Sequence, residues 1–234
     1  MQQYFAKNKE LELEQSDYHH IKNVMRMKVG NIIKVVFDNV IYTCEITDLK
    51  ETVTFKIIEK SIKEEKGYIV DVAFSLIKEQ KMDYLLQKST EVGVDTLIPI
   101  ETKRCVVKIE GKKVSSKKER WNKILKEASE QSFRTNAPKI DDISTLKELI
   151  KKDYDLKLLC SLNKNTKKIK KVLQKNNKCD RILLVVGPEG GFETSEEEFL
   201  TQNGFISVTL GDTVLRAETA PVVALSMINY EFGR

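Results

Sequence analysis

A chain of 234 residues with 41% hydrophobic and 32% charged side chains, 10 Gly and 4 Pro excludes collagen-like, low-complexity and wholly disordered classes. It is long enough for one large domain or two small ones without disulfide staples. The net charge of +5 is a mild signal for polyanion binding. The longest apolar runs, such as Ile182 to Val186, fall short of a membrane span, and the opening segment lacks a signal-peptide core. A cytoplasmic protein with no membrane partner is therefore expected.

Ile32 to Phe37, Val40 to Ile46 and Thr52 to Ile58 are short β-rich runs separated by turn signals at Asp38-Asn39 and Asp48, which predicts a small antiparallel barrel or sheet. His20 to Met27 reads as a short helix running into Gly30, with Met25 and Met27 as core filler. The pattern changes at Glu64 to Gly67, dividing the chain into residues 1–66 and 67–234. Beyond it a strand at Ile69 to Ile77 precedes Met82, Leu85, Leu86 and Ser89 at helical spacing; Gly93 fits the C′ position before a second strand at Val94 to Ile100. Trp121, Ile124, Leu125 and Ala128 mark the apolar face of a helix. Strands at Leu156 to Leu162, Arg181 to Val186 and Phe205 to Leu210 then alternate with helices at Thr166 to Asn176, Thr194 to Asn203 and Ala217 to Tyr230. The second part is accordingly an α/β domain with a mostly parallel sheet. Thr194 with Glu197 and Ser195 with Glu198 each fit a capping box, so those carboxylates read as helix-start chemistry rather than catalysis.

Charge is uneven. Residues 1–66 carry 11 basic and 11 acidic side chains, so the excess lies in the second part, at Glu101 to Arg134 and at Asn163 to Arg181. Both are candidate phosphate-facing surfaces. The plainer reading of the latter is a solvated helix face formed by Lys164, Lys167, Lys168, Lys170 and Lys171 over Ile169, Val172 and Leu173. Cys44, Cys105, Cys160 and Cys179 form no C-x-x-C pair, and His19 and His20 are sequence neighbours that seldom share one metal, so no metal is expected.

Ligands of parallel α/β sheets sit beyond the carboxyl ends of the strands, which singles out three segments. They are Ser161-Leu162, Gly187-Pro188-Glu189-Gly190-Gly191, and Leu210-Gly211 through Ala220, and together they are expected to form one pocket. The glycine loop matches neither a phosphate loop nor a dinucleotide fingerprint. A plain tight turn fits its glycine content equally well. In the third segment Arg216 and Glu218 lie where a strand passes into an apolar terminal helix with Pro221 in its first turn; the bland alternative is an ion pair capping that helix.

These segments, with Gln87 to Val94, Thr102-Lys103-Arg104-Cys105, Glu127-Ala128, Glu130-Gln131-Ser132 and Arg134, resemble the N3-uridine methyltransferases of 16S ribosomal RNA in the SPOUT superfamily. The resemblance spans nearly the whole chain; between Arg216 and Glu218 this sequence has Ala217 where that family usually has Thr. His20-Ile21 and Val24 to Gly30, containing Arg26, resemble its PUA-like RNA-binding domain. The resemblance implies a trefoil-knotted methyltransferase domain after a PUA-like β-barrel, a homodimer, S-adenosylmethionine as cofactor, and 16S ribosomal RNA of the small ribosomal subunit as partner. It assigns the cofactor to Leu162, Gly187, Gly191, Leu210 and Leu215, with Ser161, Pro188, Glu189, Gly211, Val214, Thr219 and Ala220 around them. Arg216 is expected to stabilise charge on the uracil, with Glu218 orienting it or accepting the N3 proton. Arg26, Lys103, Arg104, Gln131 and Arg134 are expected to meet RNA. The competing readings are a related enzyme acting on a ribose 2′-hydroxyl or on transfer RNA, and a non-catalytic RNA-binding assembly factor of the same fold.

Overall fold

The computed structural model describes residues 1–64, 66–111, 113–163 and 165–233; Lys164, placed on a solvated helix face above, lies outside them. The chain divides into two compact units, Met1–Glu65 with Lys126–Ala137, and Lys66–Leu125 with Pro138–Arg234.

The first unit holds β1 (Gln2–Phe5), α1 (Gln15–His19), a π-helical stretch at His20–Val24, β2 (Ile32–Phe37), β3 (Val40–Asp48) and β4 (Thr54–Ile62). They form a four-stranded sheet in the order β1-β2-β3-β4. The Asp38-Asn39 turn joins β2 to β3 with both residues at positive φ, as a tight two-residue hairpin needs to match strand twist. The sheet is not wholly antiparallel, because β1, whose QQYF carries no alternating apolar signal, adds in parallel to β2. The single helix predicted over residues 20–27 is also corrected: regular helix begins at Gln15, and the stretch at residues 20–24 is π-wound. Tyr4, Leu11, Ile21, Ile33, Val35, Cys44 and Ile46 form the core of this unit, and Tyr4 Oη bonds to His20 Nδ1 at 3.0 Å.

The second unit contains β5 (Ile69–Ser75), α2 (Glu79–Glu91), β6 (Thr96–Glu101), α3 (Lys113–Gln131, its last residues in the first unit), β7 (Lys139–Ile140), β8 (Ser144–Thr145) and α4 (Leu146–Leu149). It continues through β9 (Leu156–Cys160), β10 (Lys167–Lys168), α5 (Ile169–Lys175), β11 (Arg181–Val186), α6 (Thr194–Gln202), β12 (Ile206–Thr209) and α7 (Ala220–Phe232). The strand order is β10-β12-β9-β11-β5-β6-β7, with β8 also on β6, and every pairing is parallel. Alternation along β11 explains the continuous apolar run: Ile182, Leu184 and Val186 enter one core cluster, Leu183 and Val185 the other. The helix predicted from Thr166 starts only at Ile169, since Lys167 and Lys168 pair with β12 as the edge strand, where exposed lysines discourage further pairing. The terminal helix starts at Ala220 rather than Ala217, after a turn in which the amides of Thr219 and Ala220 donate to Arg216 O at 2.9 and 3.0 Å.

Lys126–Ala137 joins the first unit through polar contacts. Lys126 Nζ reaches Glu14 Oε2 (2.9 Å) and Asp17 Oδ1 (2.8 Å), the Phe5 amide donates to Glu130 Oε1 (3.1 Å), and Gln3 Nε2 donates to Arg134 O (2.6 Å). Among the described residues no helix is long and apolar enough to cross a membrane, and no group of three His, Cys, Asp or Glu is placed to hold a metal ion.

Candidate active site

Because β12, β9 and β11 are neighbours and parallel, the segments after them emerge side by side at one end of the sheet. They enclose a cleft of about 530 Å³, within the range of small-molecule sites. Ser161, Leu162, Gly187, Pro188, Glu189, Gly191, Leu210, Val214, Leu215 and Ala220 line it, together with Arg216 and Arg104, so the one pocket expected from sequence is formed. Gly211, Thr219, Glu218 and Lys103 are not among its lining residues.

Backbone geometry shapes the glycine loop. A Cβ on Gly187 would meet the Phe192 ring at 3.0 Å, and Gly191 sits at φ +68°, with its amide donating to Pro188 O at 2.9 Å. Arg104 Nη1 donates to Gly190 O (2.9 Å), so this arginine fastens the loop as well as lining the cleft. Lys81 Nζ, from the first turn of α2, donates to Glu189 Oε1 at 3.0 Å. Burial pushes the Glu189 carboxyl up, but its own backbone amide and Lys81 outweigh that and hold it below its ordinary value. Leu162 and Val214 are 73% and 74% exposed, large apolar side chains at a cleft wall that an apolar ligand surface would cover. At Cys160, also on the lining, burial pushes the thiol up to about 12, away from the thiolate form.

The capping box at the start of α6 lies one register earlier than predicted. Glu193 is the N-cap, its amide donates to Glu196 Oε2 (2.9 Å), and Glu196 is buried beneath the Lys103 amide (2.9 Å). That frees Glu197 to line the cleft, where Ser161 Oγ donates to it at 3.0 Å and Asn163 Nδ2 also bonds to it. Lys103 turns to Glu193 (2.9 Å) and Ser195 Oγ (3.1 Å).

Glu218 is buried and forms no ion pair with Arg216 among the described residues; its near cation is Lys81, 4.0 Å from Oε2, and that oxygen has no hydrogen-bond partner. Arg216 is exposed on the cleft. Sequence reading does not single out Lys81, and it takes Glu197 as a capping carboxylate, a role that Glu196 fills instead; a lysine in a first helical turn carries no signal until folding brings it to the loops. Arg26, Gln131 and Arg134 belong to the first unit. Arg26 is exposed at φ +50°, Gln131 is exposed, and Arg134 Nε donates to Asn136 O at 3.2 Å.

Apolar walls, backbone-rich loops and a glycine cradle at the ends of parallel strands suit an adenosyl group, so these residues fit the expected cofactor. The class follows from matching domains: residues 64–229 match an RNA methyltransferase domain family, and residues 13–58 an RNA methyltransferase PUA domain. The ribosomal RNA small subunit methyltransferase E of Bacillus subtilis is 35% identical over 99% of this chain and 97% of its own. A structure of the enzyme of that name from Neisseria gonorrhoeae bound to S-adenosyl methionine superposes with a TM-score of 0.88 at 27% identity, covering 98% of this chain and 97% of that one. A Legionella pneumophila methyltransferase in complex with the same cofactor gives a TM-score of 0.88 at 28% identity over 97% of this chain and 96% of that one. The chain belongs to the ribosomal RNA small subunit methyltransferase E family.

Proposed function

We propose that this protein is an S-adenosylmethionine-dependent methyltransferase that methylates N3 of a specific uridine in 16S ribosomal RNA. The observation that carries the reading is the single cleft of three strand-end loops, fitted to an adenosyl group and flanked by Arg216, in a chain of this family. The cofactor, when bound, supplies a sulfonium methyl whose carbon–sulfur bond breaks as the N3 electron pair attacks, leaving a neutral thioether.

The chain's residues do the rest. Ser161, Leu162 and the glycine loop, with Leu210, Val214 and Leu215, would hold the adenosyl group. Uracil N3 must lose its proton to become nucleophilic, and negative charge then spreads onto the ring oxygens. Arg216 offers a permanent planar cation to that charge. Glu218, two residues beyond Arg216 and set back from the cleft lining, is the carboxylate assigned to accept the N3 proton. Gly211 and Thr219 adjoin lining residues in sequence, next to Leu210 and Ala220.

RNA is held by Arg104 at the cleft and Lys103 beside it, and by Arg26, Gln131 and Arg134 on the PUA-like unit. A homodimer is supported by a second hollow, lined by Leu173, Val222, Val223, Met227 and a Tyr230 that is 88% exposed. The trefoil knot belongs to the same reading, supported by the insertion of β12 between β9 and β10. The reaction takes place in the cytoplasm, on the small ribosomal subunit.

The test is methyl transfer from labelled S-adenosylmethionine to small subunits lacking the modification, followed by nucleoside mass spectrometry. Label in 3-methyluridine is expected. Label on ribose moves the substrate atom to the related class, and cofactor binding without transfer to any RNA leaves the non-catalytic factor.

A further inference from the structure

Lys81 is the one cation that the described structure places within 4.0 Å of carboxylates from two different cleft segments. Its Nζ donates to Glu189 Oε1 in the glycine loop at 3.0 Å and lies 4.0 Å from Glu218 Oε2, two residues beyond Arg216. Glu218 is 8% exposed and that Oε2 is buried without a hydrogen-bond donor. A buried carboxylate with an unfilled lone pair is costly unless a nearby cation compensates it. The Lys81 ammonium carries three donors on a flexible stem, and shortening 4.0 Å to hydrogen-bond length needs a shift of only about 1 Å. It issues from α2, which belongs to neither loop.

We propose that Lys81 is a positioning residue that spans the glycine loop and Glu218, setting the carboxylate of the substrate side by the same cation that fastens the cofactor side. This rests on the methyltransferase reading. Lys81, itself on the cleft lining, acts through Glu218: it holds that carboxylate where the N3 proton is to be received and compensates its charge. Loss of the cation leaves Glu218 Oε2 without its near cation, while Arg104 still fastens the glycine loop through Gly190 O.

Two measurements test it. The first needs no activity: melting temperatures of the wild type, Lys81→Gln, Glu218→Gln and the double variant. A non-additive cycle is expected, with Lys81→Gln lowering Tm in the wild-type background and much less beside Glu218→Gln. Additive changes overturn the pairing, whatever the reaction is. The second is kinetic. Lys81→Gln should bind S-adenosylmethionine within roughly 3-fold of wild type by calorimetry, with RNA KM little changed and kcat down by about 30-fold or more, and Lys81→Arg should recover most of kcat. A Lys81→Gln enzyme with wild-type kcat, or a defect confined to cofactor affinity, overturns the positioning role. Failure of the wild type to methylate RNA would sink the proposed function instead, leaving the Tm cycle to judge the pairing alone.

Discussion

Two hollows share one stretch of chain. Thr209 and Leu210 line both the cleft of about 530 Å³ and the second hollow of about 610 Å³, yet the surroundings differ. The cleft is built largely from loops, with Arg104, Arg216, Lys81 and Glu197 among its polar groups. The second hollow is built from α5 and α7 side chains, with Leu173, Val222, Val223 and Met227 on its walls. Loop backbone supplies directed donors and acceptors, which discriminate a small polar ligand; helix side chains supply apolar area, which suits a protein surface. Adjacent sequence thus lines two hollows whose walls suit different kinds of recognition according to what stands opposite it.

Substitutions can separate the two. The largest effect is expected at the cleft: Arg216→Ala should lower kcat by about 100-fold or more, with cofactor affinity within a few fold by calorimetry. A fully active variant removes Arg216 from the chemistry. Gly187→Val comes next, because its side chain must displace the Phe192 ring that a Cβ already meets at 3.0 Å. Cofactor affinity should fall by roughly 10-fold or more, and unchanged affinity would show that the loop yields freely. At the second hollow, Met227→Asp should leave the folded monomer intact by circular dichroism while shifting sedimentation toward the monomer by roughly 10-fold in dissociation constant. Retained dimer would mean that the apolar face serves something else.

The smallest effect is expected away from both hollows. Burial, reinforced by the Asp17 charge and opposed by Lys126, pushes Glu130 up to about 7. In the unfolded chain this carboxyl ionises near its ordinary value of about 4.3. Between roughly pH 4.3 and 7 the unfolded chain therefore holds fewer protons than the folded one, and stability falls as pH rises, levelling off above about 7. Glu130→Gln keeps an acceptor for the Phe5 amide and removes that slope. It should be more stable relative to wild type at pH 8 than at pH 5 by thermal denaturation, with cofactor affinity unchanged. A pH-independent difference would mean that Glu130 is ionised throughout.

The sequence was most legible where burial dictates it. The strand predicted at Arg181 to Val186 is β11 without a residue's error, because a central parallel strand is apolar on both faces. Gly93 follows α2 at φ +96°, as its predicted C′ position requires. Of the candidate site, the residues after β9, β11 and β12 could be picked out in advance because the ends of parallel strands are where ligands go. What escaped notice depends on partners distant in sequence. β1 has no apolar alternation and is defined by β2; Lys126–Ala137 joins the first unit through Asp17, Glu14 and Phe5; and Lys81 matters only because Glu189 and Glu218 arrive beside it. The capping register was missed because Thr and Ser are commoner caps than the Glu193 that performs the task.

Thr209 and Leu210 bring a further consequence. A wall common to two occupants makes their affinities interdependent whenever either one alters that wall. Thermodynamic linkage then requires equality: the factor by which cofactor tightens self-association is the factor by which self-association tightens cofactor. For the proposed dimer, cofactor titrations at dilute and concentrated protein would then yield different dissociation constants, and the ratio between them measures the coupling carried by that shared wall.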